Sequence, residues 1–175
     1  MAQIFEVIDH VNSDTDIVSV KSDTDILDKG YLCSLGTLAY WDVYNVTEPT
    51  GATSAATPTE ADLVMILGGD PYEDANGQRT GGVRDPRDIT YAAGRIVAAS
   101  RIPLGCRIKI DEDSIDDSSV AIAVGKYLIP KDGGYDMVTS ATIPSGVGFV
   151  LKIDKEDSFP VGGEYVDAVI ARRVV

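Results

Sequence analysis

The sequence is poor in the residues that carry most enzyme chemistry: one histidine, two cysteines and one tryptophan in 175 residues. A Ser-His-Asp or Cys-His system would have to use His10. That residue sits near the start of the chain, where order is least assured. Zinc sites take about four N or S ligands, and His10, Cys33 and Cys106 fall short of that set. Gly68-Gly69-Asp70 and Gly81-Gly82 lack the spacing and the lysine of a phosphate-binding loop. No apolar run approaches the roughly 18 residues of a membrane span. The opening Met-Ala-Gln-Ile-Phe-Glu has neither the basic stretch nor the apolar core of a secretory leader. Synthesis in a cytoplasm is therefore expected, with Cys33 and Cys106 as small buried hydrophobes and their pairing left open. The sequence predicts no enzyme activity, no cofactor and no metal.

Positive charge is also scarce. Fifteen Lys and Arg face 28 Asp and Glu, a net charge of −13. Such an acidic balance argues against nucleic acid as partner, because neutralising phosphates needs a cationic face. The scarce cations are unevenly placed. Six of the eight arginines, Arg79, Arg84, Arg87, Arg95, Arg101 and Arg107, fall in one stretch, joined by Lys109 and opposed there by Asp85 and Asp88 alone. Planar guanidinium suits fixed bidentate contacts, and interfaces favour Arg and Tyr over Lys. These six arginines are the candidate interface with a larger protein surface or a neighbouring subunit. Arginines scattered on a strand-rich surface, each worth little, are the plain alternative.

What is plentiful is turn and strand signal. Seventeen glycines and 44% hydrophobic residues in short runs favour a turn-rich β protein. Ser13-Asp14-Thr15-Asp16-Ile17 recurs as Ser22-Asp23-Thr24-Asp25-Ile26. Both copies read as turns flanking a strand at Ile17–Val20, with a calcium site as the sharper alternative. Residues 1–30 are expected as an extended N-terminal arm. Residues 31–175 are expected as one β-rich domain with long loops at 47–60 and 70–88.

Tyr31 to Val46 predicts two strands separated by a turn around Gly36, with Trp41 as a core anchor. Thr57-Pro58-Thr59-Glu60 matches a capping box, yet the run Leu63–Leu67 that follows lacks a polar face and favours a strand. Strands are predicted at Gly94–Ile102, Cys106–Ile110, Val120–Val124, Lys126–Ile129, Tyr135–Val138, Gly148–Ile153 and Tyr165–Ala171. Arg107 and Lys109 should face away from Ile108 and Ile110. A hairpin turn is expected at Lys131–Gly134. Asp111–Asp117 reads as an acidic turn, with a hard cation as the alternative. Short strands at this spacing indicate a small β-barrel or β-sandwich, all-β in class.

The order of phrases over residues 60–175 resembles a known family. An apolar strand, Leu63–Leu67, precedes Asp70-Pro71-Tyr72-Glu73-Asp74 and Ala92-Ala93-Gly94-Arg95. Then come Ile102-Pro103-Leu104-Gly105-Cys106-Arg107-Ile108, Asp111-Glu112-Asp113-Ser114-Ile115 and Val124-Gly125-Lys126-Tyr127-Leu128-Ile129-Pro130. This layout is similar to the decoration (cement) proteins of tailed-bacteriophage heads. The resemblance implies a non-enzymatic virion protein on the outer face of a capsid. Its partner would be the major capsid protein, with a homo-oligomer, a trimer favoured, bridging capsid subunits. A carbohydrate- or receptor-binding module on a virion surface is the alternative, which would need an exposed aromatic platform at Tyr40, Trp41 and Tyr44.

Overall fold

A computed structural model describes residues 5–7, 17–49, 63–67, 90–131, 133–161 and 163–175. His10, the first Ser-Asp-Thr-Asp copy, the capping box, most of both long loops, and Arg79, Arg84 and Arg87 lie outside the described residues. The chain is all-β: fourteen strands and one 3-10 turn at Glu112–Ser114 appear among the described residues.

Five strands close a barrel: β2 (Ile17–Lys21), β5 (Val43–Thr47), β4 (Leu32–Tyr40), β6 (Leu63–Ile66) and β8 (Val97–Ser100), in that order. β2, at the end of the segment expected as an arm, is a stave of this barrel, parallel to β5 and antiparallel to β8. A seven-stranded sheet holds β1 (Phe5–Val7), β9 (Arg107–Asp111), β14 (Glu164–Arg173), β13 (Leu151–Val161), β11 (Tyr127–Pro130), β12 (Met137–Ser140) and β10 (Ile115–Asp116). β3 (Leu27–Asp28) and β7 (Thr90–Tyr91) form a small separate ladder.

β6 explains why its sequence is unbroken by polar residues. Leu63 and Met65 join the core shared with Ile108, Ile110, Leu128, Phe149, Leu151 and Val169. Val64 and Ile66 point the other way, into the barrel core with Val20, Cys33, Val46, Val97 and Ala99. A strand buried on both faces needs apolar residues at every position, not alternate ones. β4 divides likewise, with Leu32 in the first core and Cys33 in the second. Cys33 and Cys106 form no disulfide and are buried, in different cores, and burial pushes the Cys33 thiol pKa up.

Three predicted elements come out differently. Gly36 makes no turn: β4 runs through it to Tyr40. A Cβ there would meet the Asn45 carbonyl oxygen at 3.0 Å, so glycine permits close approach of β4 and β5 at a register shift. Val120–Val124 is apolar but pairs with no strand: Val120 lies in a bend and Val124 in the turn that carries Gly125. The predicted Tyr135 strand begins two residues later, at Met137, because Tyr135 is turned inward from the preceding turn.

That inward tyrosine ties sheet to barrel. Its ring stacks on Tyr31, centroids 4.7 Å apart and planes within 6°, and its hydroxyl donates to Asp25 Oδ2 at 2.9 Å. Asp25 belongs to the second Ser-Asp-Thr-Asp copy. There the Ser22 hydroxyl caps the turn, accepting from the Asp25 amide at 3.0 Å, as a Ser turn should. The Tyr135 bond is the main cause holding the Asp25 carboxyl below its ordinary 3.8. A lowered folded-state pKa gives stability that is complete above the unfolded value and lost as pH falls through the folded one. Tyr135→Phe is thus expected to cost about 0.5–1 kcal/mol at neutral pH. Urea midpoints should show that cost shrinking below about pH 4. A pH-independent deficit would remove the role given to this contact.

Candidate docking surfaces

The barrel has one end that breaks the usual surface rules. β2 and β5 are parallel, so both begin there; β4 and β8 run opposite and finish there. The Trp41-Asp42 turn joins β4 to β5 at this end, directly after the Tyr40–Val43 pair. Trp41 is 88% exposed, against the expectation of a core anchor. It is also the one described non-glycine residue with positive φ, at 49°. The first position of such a two-residue turn normally takes glycine. A bulky side chain there costs roughly 1–2 kcal/mol of backbone strain. Neither the turn nor the core explains a tryptophan at this position.

Its neighbours are of the same kind. Leu38 and Tyr40 on β4 and Ile17 at the start of β2 are exposed. The Lys21 ammonium lies 5.4 Å from the Tyr40 ring centre. Ile17 pairs with Ser100, and Arg101 follows Ser100 at the same barrel end. The result is an aromatic and aliphatic surface bordered by an arginine, the composition found at interface hot spots. Tyr44, the third platform candidate, packs partly against the barrel core instead.

Of the six candidate arginines, the three among the described residues, Arg95, Arg101 and Arg107, do not share one sheet. Arg95 precedes β8 and Arg101 follows it, both on the barrel. Arg107 is on the seven-stranded sheet, exposed and facing away from buried Ile108 and Ile110 as predicted. There it meets cations the sequence did not single out. Arg107 pairs with Arg172 on β14, Arg172 pairs with Lys152 on β13, and Lys152 pairs with Tyr127 on β11. Residues directly opposite in a ladder point to the same side. With strands 4.7–4.9 Å apart, the Cα atoms of Arg107 and Lys152 lie about 10 Å apart. Like charges so placed repel by roughly 0.2–1 kcal/mol per pair. The bulge after Ile153 inserts Asp154, and this carboxylate holds Arg172 at 3.2 Å.

Lys109, two residues on, is committed internally. Its ammonium lies 3.6 Å from the Asp157 carboxylate and 4.5 Å from the Phe159 ring centre. The acidic turn after β9 does not gather a cation cage. Asp116 pairs with Lys131 at 3.1 Å, and its carboxyl is pulled down to about 2, chiefly by hydrogen bonds from Ser118 and Lys131. Among the described residues no group of three His, Cys, Asp or Glu is placed to hold a metal ion.

No protein-family model matches the chain, and neither a curated protein nor a solved structure is found to be similar to it.

Proposed function

We propose that the chain is a non-enzymatic structural protein of a phage virion that binds the outer face of the capsid and reinforces it by bridging capsid subunits. The carrying observation is Trp41, held strained and exposed at the tip of a hairpin where a glycine would serve the fold better. Strain kept at one exposed aromatic is the mark of a contact made elsewhere. Trp is among the commonest interface anchors, and Arg101, one of the six candidate arginines, stands at the same barrel end. The strongly acidic body favours dispersed particles through self-repulsion. Repetition over a lattice multiplies a moderate contact into firm attachment. The major capsid protein is the proposed partner, and the virion surface the proposed location. Arg79, Arg84, Arg87 and Arg95 are proposed to extend the contact from the loop and from the β8 side.

Co-sedimentation with decoration-free capsids tests this reading. The parent chain should pellet with particles and saturate. Trp41→Ala should fall to background at the same concentration, with an unchanged circular dichroism spectrum. Equal occupancy by both would end the reading.

The same exposed ring favours a second reading, a carbohydrate- or receptor-binding module in which Trp41 and Tyr40 stack on a sugar face. Specific glycan-array binding that vanishes in Trp41→Ala, without capsid binding by the parent, selects it.

A further inference from the structure

The seven-stranded sheet is charged oppositely at its two ends. β9, β14 and β13 run antiparallel in turn, so Arg107, Arg172 and Lys152 share one end. At the other end lie Glu112 and Asp113, directly after β9, with Glu156 on β13 and Asp167 on β14. Glu156 is opposite Val169, and Asp167 is two residues from Val169 on the same side, so the two carboxylates are diagonal neighbours. Val169 faces the core, whereas Arg172 faces away from it. The cationic row and the carboxylates therefore occupy opposite ends and opposite faces of one sheet. Crowding is evident at Glu112, whose carboxyl is raised first by burial and then by Asp167, Glu156, Asp117 and Asp113.

Like charges face each other at both ends, and at the cationic end Asp154 offsets part of the charge through Arg172. Each end is the complement of the other and neither complements itself. Two copies brought together by a two-fold axis through either end would set like charge against like. A head-to-tail contact sets the cations of one copy on the carboxylates of the next, which is a heterologous interface.

We propose that the Arg107–Arg172–Lys152 row is a self-association surface that takes the Glu112, Asp113, Glu156 and Asp167 end of a second copy of this chain. The contact is electrostatic and therefore governed by salt. Screening lengths fall from about 10 Å at 0.1 M to about 3 Å at 1 M ionic strength. The proposal does not depend on the capsid reading, which rests on the barrel end, and each can fail alone.

Analytical ultracentrifugation of the full chain over a concentration series tests it. At low ionic strength the weight-average mass should rise with concentration. The apparent dissociation constant should weaken by about tenfold or more on going to 0.5 M salt. Arg107→Glu with Lys152→Glu gives a chain with two acidic ends, and Asp113→Lys, Glu156→Lys and Asp167→Lys together a chain with two basic ends. Each should sediment as a monomer alone, and an equimolar mixture should associate again. A parent monomeric at every concentration overturns the proposal, as does association indifferent to salt. A folded charge-swapped pair that stays monomeric when mixed also overturns it. Far-ultraviolet circular dichroism and urea midpoints on each variant establish that it is folded. A variant that does not fold is replaced by its single-charge version, Lys152→Glu or Asp167→Lys, read in the same mixture.

Discussion

Arg173→Met is expected to lower the stability of the chain by about 3–5 kcal/mol, several times the cost of losing the Tyr135 hydroxyl. Arg173 is 2% exposed, in a row of inward residues with Val169 and Ala171. Its guanidinium donates to the backbone carbonyl of Ile102, to that of Gly148 at 3.2 Å and to that of Val175 at 2.8 Å. It also lies 4.7 Å from the centre of the Phe149 ring. One side chain thus ties the segment after β8 to the two segments that flank the β13–β14 ladder. A delocalised planar cation suits this better than an ammonium, because its fork of donors reaches several carbonyls at once.

Methionine matches the length and apolar stem but leaves those three acceptors without this donor. The Ile102 bond is buried and the other two are part-buried, with the Val175 oxygen also accepting from the Val150 amide. Hydrogen bonds from a charged group contribute about 1.5–3 kcal/mol each, offset in part because a buried charge is no longer desolvated. Urea unfolding in 0.5 M salt, where the proposed self-association would be screened, is the appropriate measurement. At an m-value of about 2 kcal/mol/M the midpoint should fall by roughly 1.5–2.5 M. The neighbouring Arg172→Met supplies the control. Arg172 is exposed and paired with Asp154, so its loss should stay within about 1 kcal/mol. Equal effects at the two positions would mean that Arg173 is not the clasp described.

The adjacent pair Arg172-Arg173 also shows what the sequence can and cannot reveal. Strand alternation places one arginine outside and one inside, but nothing local says which burial is tolerable. That depends on carbonyls contributed by Ile102 and Gly148. The cationic row is hidden for a related reason. Arg107 belongs to the visible arginine stretch, whereas Arg172 and Lys152 become its neighbours only through antiparallel register. A one-residue slip would send them to the other face. β6 is legible because burial on both faces writes itself as an uninterrupted apolar run. β9 is legible because burial on one face writes itself as alternation. Gly36 misleads because glycine marks close backbone approach as well as turns. Val120–Val124 misleads because apolar residues without a ladder partner leave the same trace as a strand. Trp41 misleads because size alone argues for burial. Only its positive φ and its exposure reveal that the fold gains nothing from it.

That mismatch leads to the second large effect. Trp41→Gly should raise stability and, on the proposed capsid reading, abolish particle binding in the same molecule. Glycine enters the positive-φ region without the Cβ clash that a tryptophan meets there. Trp41 is 88% exposed, so its removal forfeits little packing. Glycine also gains freedom in the unfolded chain, which subtracts up to about 1 kcal/mol. The net gain should be about 0.5–1 kcal/mol, seen as a higher urea midpoint with an unchanged slope. Trp41→Ala keeps the Cβ and so keeps the strain; it should fall at or below the parent. On particles both variants should behave alike, because each removes the ring. Loss of a buried aromatic anchor costs about 2–4 kcal/mol, or some 30- to 1,000-fold in affinity. The opposed signs matter. A residue retained for the fold loses stability when removed, whereas one retained for a contact loses only the contact. Should Trp41→Gly unfold more easily than the parent by about 1 kcal/mol or more, beyond the entropy that glycine itself adds to the unfolded chain, the ring supports the barrel and the docking assignment loses its basis.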